Sequence, residues 1–377
     1  MSNQPAVIGP DGVARPYIGG QALIEGVMMR SPHSFAAVVR RRNGVLVVKE
    51  QPMSDPRRGK LAWPLVRGVV ALGEALKLGS RALRFSADIY EKDLEAEEAA
   101  LGKTAASGSS LLSALSLPII ALVTSEGEVV GKTNGDGKKN WFSVLSIAFA
   151  IAIFVALPQA FAEGTNSLFG LGLDIRTAGF QLLTAAAKLT ILVGYMLAIR
   201  RIPEIYRVFQ YHGAEHKSIY TYECGQELTV ENARPKTTLH PRCGTTFIVM
   251  VALVSILVFT ALGPFLPQLG LGKLGDNVLF FLMKLPFLPV IAAITFELQR
   301  VFARYCTKGP LRALLWPGFL VQKITTIEPD DRQLEVALGA LLVTLRIEKG
   351  AASVKDSEQT FAGFSELSGP STLPAAP

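Results

Sequence analysis

Four long apolar runs, residues 141–161, 180–199, 246–266 and 277–296, constrain this 377-residue chain more than any other feature. Each reaches the ~20 residues that a helix needs to cross the hydrocarbon core of a bilayer. Inside lipid the backbone must bond to itself, so such runs fold as helices. With 49% hydrophobic residues overall, the chain reads as a mainly α, polytopic membrane protein with about four transmembrane helices. Charges within the runs are few. Lys188 and Lys284 stand out, and each either marks a polar cavity or snorkels and packs.

The flanks give the runs a direction. Arg200, Arg201, Arg207, Lys217, Arg234, Lys236 and Arg242 lie between the second and third runs, and Arg300, Arg304, Lys308 and Arg312 follow the fourth. The other two connections contribute Arg176 and Lys273. By the positive-inside rule the N-terminus, the central loop and the C-terminus are all cytoplasmic. Topology then accounts for the formal net charge of +7, and no nucleic-acid partner is expected. No apolar stretch at the N-terminus resembles a signal peptide. Cys224, Cys243 and Cys306 are few and unevenly spaced on the reducing side, which argues against disulfides.

Outside the runs the chain divides by composition. Residues 1–16 are polar and rich in Pro and Gly, read as a disordered arm. Residues 17–60 form a small N-terminal cytoplasmic α+β segment. In it Asn43-Gly44 separates two β-branched runs and predicts a β-hairpin over 34–49. The pairs Gly19-Gly20 and Glu25-Gly26 suggest tight turns. Over 61–90 the polar residues Arg67, Glu74, Lys77, Arg81, Arg84 and Asp88 share one helical face, predicting an amphipathic helix that either lies along lipid headgroups or packs on the cytoplasmic segment. Residues 91–140 read as a linker around a short apolar segment, 111–123, that is interfacial or re-entrant. A transmembrane domain, 141–300, carries the cytoplasmic loop 200–244. A C-terminal cytoplasmic helical region, 301–348, has a helix start at 325–331, with threonine caps and Pro329 in the first turn. A stripe of Leu334, Leu338, Leu341, Leu342 and Leu345 follows. The tail 349–377 reads as disordered.

The chemistry gathers in that central loop. It holds three of the four histidines and two of the three cysteines. If 208–220 is helical, His212 and His216 lie about 40° apart around the axis and face one point. Glu215 between them completes His-x-x-Glu-His, the reversed zincin order, in which two histidines hold zinc and the glutamate handles the proton of a metal-bound water. His240 and Cys243 precede the third run and Glu297 ends the fourth, all at one depth. The expected site takes His212 and His216 as ligands, His240 or Glu297 as a third, Cys243 as a ligand or just behind one, and Glu215 as general base. Glu25, Arg30, Lys217 and Arg242 are candidates to support the ligands, and His33 is a polar group that could reach a site. The cofactor is a divalent metal, zinc before iron or manganese.

This pattern predicts a metal-dependent hydrolase at the cytoplasmic face, acting on a peptide bond of a membrane protein or on a lipid or headgroup ester. A membrane adaptor or assembly factor is the competing class, with a closed structural zinc site that uses Cys243 and perhaps Cys224. A transporter using Lys188 and Lys284 is a third. The bland alternative is that these side chains make ordinary hydrogen bonds at a polar helix end.

Four segments carry a family likeness: GlyGlyGlnAlaLeuIleGluGlyValMetMetArgSer at 19–31, HisGlyAlaGluHisLys at 212–217, HisProArgCysGlyThr at 240–245 and ThrThrIleGluProAspAspArgGlnLeuGluValAla at 325–337. Together they resemble the YqhQ-like family of bacterial membrane proteins, a domain-of-unknown-function family described as predicted metal-dependent enzymes. The resemblance runs from about residue 17 to 347. It implies a bacterial inner-membrane location, membrane lipids as surroundings and a metal, and it supplies no substrate and no oligomeric state. Glu25, Arg30, His212, Glu215, His216, His240 and Cys243 lie in matching motifs; Cys224 does not, which weakens any ligand scheme that uses it.

Overall fold

A computed structural model describes residues 6–53, 59–100, 152–267, 270, 272–306, 309–348, 350 and 357–369. The short apolar segment 111–123 and most of the first apolar run lie outside them. Strands β1 (Ala6–Ile8) and β2 (Ala14–Pro16) pair as a small hairpin where a disordered arm was expected. Asp11 ties their turn, accepting hydrogen bonds from the Val13 amide at 3.1 Å and from Arg15.

Strands β3 (Gly19–Leu23), β4 (Gly26–Arg30), β5 (Ser34–Arg40) and β6 (Leu46–Pro52) follow as an antiparallel meander. The β5–β6 hairpin turns at Asn43-Gly44. Gly44 has φ +91°, a conformation that costs a residue without Cβ little, and the Asn43 side chain accepts from the Val45 amide at 3.1 Å. Gly19-Gly20 lies within a strand and not in a turn.

Helix α1 (Val66–Ala100) runs ten residues beyond the end expected for it. The stretch 91–100, read as the start of a linker, is rich in Glu, Lys, Ala and Leu, which favour helix. It is also held in place: Asp93 bonds Arg41 at 2.8 and 2.5 Å and accepts from the Arg42 amide at 3.0 Å. Acidic side chains that look like solvated linker thus grip the basic turn of the hairpin. Of the two placements open for this helix, packing on the sheet is the one observed.

Helices α2 (Leu157–Leu168), α3 (Ala178–Ile199), α4 (Pro203–Glu223) and the single turn α5 (Val230–Ala233) come next. They are followed by α6 (Gly244–Leu262), α7 (Gly272–Lys284), α8 (Leu288–Tyr305), α9 (Trp316–Thr325) and α10 (Asp331–Glu348). Three stretches among the described residues are long and apolar enough to cross a membrane: Ala178–Ile199, Gly244–Leu262 and Val278–Phe302. The last is broken by a 3-10 turn at Leu285–Phe287, where Pro286 denies the α-helix a hydrogen bond.

The tail, expected to be disordered, contributes β7 (Ser357–Phe361), which pairs with β6 from Leu46↔Phe361 to Glu50↔Ser357, and a final turn α11 (Phe364–Leu367). A strand this polar carries little periodic signal. Its place depends on the free edge that β6 offers.

The sheet is buried on both faces. Val27, Met29, Ala36, Val38 and Val48 meet Tyr211, Ala214 and Ile219 of α4 and Leu334, Leu338 and Leu341 of α10. On the other face Leu23, Met28, Phe35, Ala37 and Val39 meet Leu78, Ala82 and Phe85 of α1. Alternate residues of β4 and β5 go to opposite layers, so both strands read as continuous apolar runs. Helix α10 starts four residues later than a cap at Thr326 would put it. Thr325 and Thr326 close α9, and Asp330 caps α10 through a reciprocal pair: its carboxylate accepts from the Gln333 amide at 2.7 Å while Gln333 Oε1 accepts from the Asp330 amide at 2.9 Å. Asp330→Ala is expected to cost about 1 kcal/mol, seen as a lower denaturant midpoint; an unchanged midpoint would show that the cap is dispensable.

Candidate metal centre

Helix α4 follows α3 after a short break at Arg200–Ile202 that Pro203 terminates in the first turn. It therefore starts at one end of an apolar helix and runs along the sheet. Cys243 is the N-cap of α6, another apolar helix. Helix α4 and this cap meet. The His212 and His216 rings are 4.6 Å apart between centroids, and one ligand atom from each of His212, His216 and Cys243 lies within 4.8 Å of the others. Such a group could hold a metal ion.

Backbone carbonyls set the orientation of both imidazoles. His212 Nδ1 is 2.9 Å from the Thr325 carbonyl oxygen, and His216 Nδ1 bonds the Thr238 carbonyl oxygen. A carbonyl can only accept, so each Nδ1 carries the proton. In the neutral rings each Nε2 is then a bare lone pair. His212 Nε2 lies 3.1 Å from Cys243 Sγ. Zinc bonds of roughly 2.0 Å to nitrogen and 2.3 Å to sulfur, at a tetrahedral angle, would separate the two by roughly 3.5 Å, so an ion requires little spreading.

Burial works on the charges. The Cys243 thiol is almost fully enclosed, which by itself raises its pKa, but nearby His216 and the Thr245 hydroxyl and amide outweigh that and hold it below the usual thiol range. Burial lowers His216, partly offset by Cys243. Glu215 is pushed up to about 8, chiefly by burial and against the pull of His212. Among the described residues its carboxyl has no hydrogen-bond partner. It lies instead against β3 at Gly20, where a Cβ would come within 2.8 Å of it. The strand leaves out a side chain where the carboxyl needs room.

His240 is 5.5 Å from His216 between ring centroids but outside the three-residue group; its Nδ1 accepts from the Arg242 amide at 3.4 Å, and its buried Nε2 has no hydrogen-bond partner, with Glu223 at 3.6 Å. Burial holds it down to about 4. Glu297 is taken by Arg67 of α1 at 2.6 and 2.5 Å and is not in the group. Length explains this: Arg67 reaches across the helix end that the glutamate was expected to leave open. Glu25, at φ +52° in the β3–β4 turn, grips Arg207 through two bonds of 2.5 Å and accepts from the Tyr211 hydroxyl at 3.2 Å, which fixes the helix one residue before His212. Arg30 reaches Glu74 of α1 at 3.4 Å. Lys217 is buried and bonds Glu328 and the Arg234 carbonyl, and Arg242 bonds Glu223 beneath the Tyr17 ring. Cys224 caps the end of α4, and His33 bonds Glu348 at 2.9 Å.

Two side chains escape sequence reasoning. Gln322, fully buried, accepts from the His240 amide at 2.8 Å and donates to the His240 carbonyl at 2.8 Å and to Thr246 Oγ1 at 2.7 Å. Gln299 donates to the Cys243 carbonyl at 3.2 Å. Both amides fasten the segment that delivers Cys243. A glutamine in the apolar stretch of α9 was the available signal.

A family model described as a protein of unknown function (DUF1385) matches residues 63–346. Uncharacterized protein YqhQ of Bacillus subtilis (strain 168) is 32% identical over 335 residues, covering 88% of this chain and 93% of that protein. No solved structure matches the chain.

Proposed function

We propose a metal-dependent function for this chain, which belongs to the DUF1385 family of proteins of unknown function: a divalent ion, zinc first, held by His212, His216 and Cys243. The observation that carries the reading is the pair of Nδ1 bonds to the Thr325 and Thr238 carbonyls. These bonds fix both rings and leave each Nε2 without a proton and so able to bind a metal, as the outer partners of metal-bound histidines do. A thiol already held low in pKa loses its proton readily to a cation.

Two histidines and a cysteine with an open fourth position is a donor set of catalytic zinc. Glu215, one residue from His216, takes the role of proton carrier. Enclosed as it is, it keeps its proton at neutral pH, and a dication beside it favours the carboxylate. The reading is therefore metal-assisted hydrolysis. The site lies on α4, which follows the apolar helix α3, and at the start of the apolar helix α6; the basic residues Arg200, Arg201, Arg207 and Arg242 around these helix ends support a location at the cytoplasmic face of a multi-pass protein of the bacterial inner membrane. A peptide bond of a membrane protein or a lipid ester at that surface is the substrate class.

Metal content of the purified full-length protein tests this. About one zinc per chain is expected for wild type, with near-complete loss in His212→Ala/His216→Ala and in Cys243→Ala. Glu215→Gln keeps the metal and loses hydrolysis of ester or peptide probes. Equal metal in wild type and the histidine variant would end the proposal, and metal retained without any hydrolysis in wild type would favour a structural zinc site.

A further inference from the structure

Beyond the histidine cluster, a cavity of about 500 Å³ opens on the segment that follows the last apolar stretch. The chain leaves α8 at Tyr305, turns at Gly309 with φ +69°, and lays down a 3-10 turn (Pro310–Leu315) and then α9. Leu239, Phe319 and Leu320 line the cavity, above a small core of Phe302, Cys306 and Leu315. Arg312 and Lys323 also line it, each beside an aromatic ring: the Arg312 guanidinium is 5.9 Å from the centre of Phe319, and the Lys323 ammonium is 5.7 Å from that of Trp316. Neither cation has an acidic partner among the described residues.

The same segment exposes Leu311, Leu314, Trp316 and Leu320, each about half open. An Arg and a Lys without acidic partners among the described residues, on a segment with an exposed Trp and three exposed leucines, suit the boundary between headgroups and acyl chains, where the apolar tips sink and the cations meet phosphate. Two cations on an apolar wall match one molecule with a charged head and a greasy body. We propose that this pocket binds one anionic phospholipid, with Arg312 and Lys323 holding its phosphate and Leu239, Trp316 and Phe319 its glycerol and upper acyl carbons. The proposal needs the protein at a membrane but not the metal, so it stands or falls apart from the reading above.

Native mass spectrometry of the full-length protein in detergent, titrated separately with phosphatidylglycerol, phosphatidylcholine and inorganic phosphate, provides the test. Wild type is expected to hold one phosphatidylglycerol about 10- to 30-fold more tightly than Arg312→Gln/Lys323→Gln, the scale of two cations lost near an anionic surface. Phosphatidylcholine should bind both proteins alike. The exchange Arg312→Lys/Lys323→Arg keeps both charges and should keep most of the binding, so a fold defect would not pass for a lost site. Arg201→Gln/Lys236→Gln, with two charges removed outside the pocket, should bind like wild type. The proposal is overturned if Arg312→Gln/Lys323→Gln retains the lipid, if the outside pair loses it equally, or if inorganic phosphate displaces it at matched concentration.

Discussion

Gly213→Ala is expected to dislodge α4 and to empty the histidine cluster with it. A Cβ at this position would sit 2.0 Å from the Ile327 carbonyl oxygen and 3.3 Å from Thr238 Cγ2. The first obstacle is backbone, and it is tethered, because the Ile327 amide donates to the Phe209 carbonyl of the same helix at 3.0 Å. Neither side can yield without breaking that bond. Overpacking usually costs about 1–3 kcal/mol, and a fixed backbone atom puts this change at or above the upper end. The helix-propensity gain of alanine, about 1 kcal/mol, is too small to compensate. Because Gly213 adjoins His212 and the displaced segment carries Thr325, the His212 Nδ1 bond should go too, so metal content should fall together with the unfolding temperature. Gly194→Ala is the control: it lies in α3 with nothing within 4 Å of its added carbon and should be neutral or slightly stabilising. A Gly213→Ala protein with wild-type stability would mean that the close approach of α4 to residue 327 is not maintained.

That contact shows where sequence reading succeeds and where it stops. The spacing of His212 and His216 puts two imidazoles on one side of a helix, and Asn43-Gly44 marks a hairpin, because both are local rules of backbone geometry. Apolar length marks the helices that could cross a membrane for the same reason. By helix propensity alone, the glycine between the histidines is only a weak point in a helix. It is the space through which a loop more than a hundred residues away reaches the helix backbone. Glu297 was drawn toward the cluster by its depth along the chain, and Arg67 claims it first. Cys243, one of several candidate donors by spacing, is carried to the histidines by the start of α6. The acidic end of α1 and the polar strand β7 misled for a single reason: their partners, Arg41 and Arg42 in one case and the edge of β6 in the other, are distant in sequence. Local pattern describes an element well only when its own residues decide its state.

Gln322→Leu should lower both stability and metal affinity without touching a ligand. The side chain has no exposed surface and supplies three hydrogen bonds, two of them to the main chain of His240. Leucine has nearly the same volume, so packing survives, but the buried His240 amide and carbonyl lose their partners at about 1–3 kcal/mol each. The loop they anchor begins at Thr238, whose carbonyl holds His216, and ends at Cys243. Slackening it frees one ring and moves the sulfur, and loss of such outer partners typically weakens metal binding about 10- to 100-fold. Competition with a chromophoric chelator measures the affinity, and thermal unfolding with metal stripped measures the loop alone. Gln322→Glu separates geometry from charge. It keeps an acceptor for the His240 amide but gives up the amide donor, so geometry ranks affinity as glutamine, then glutamate, then leucine. If the local field were what mattered, an added negative charge near a dication would raise affinity above wild type. That order, or a leucine variant as tight as wild type, would show that the loop is held by something other than Gln322.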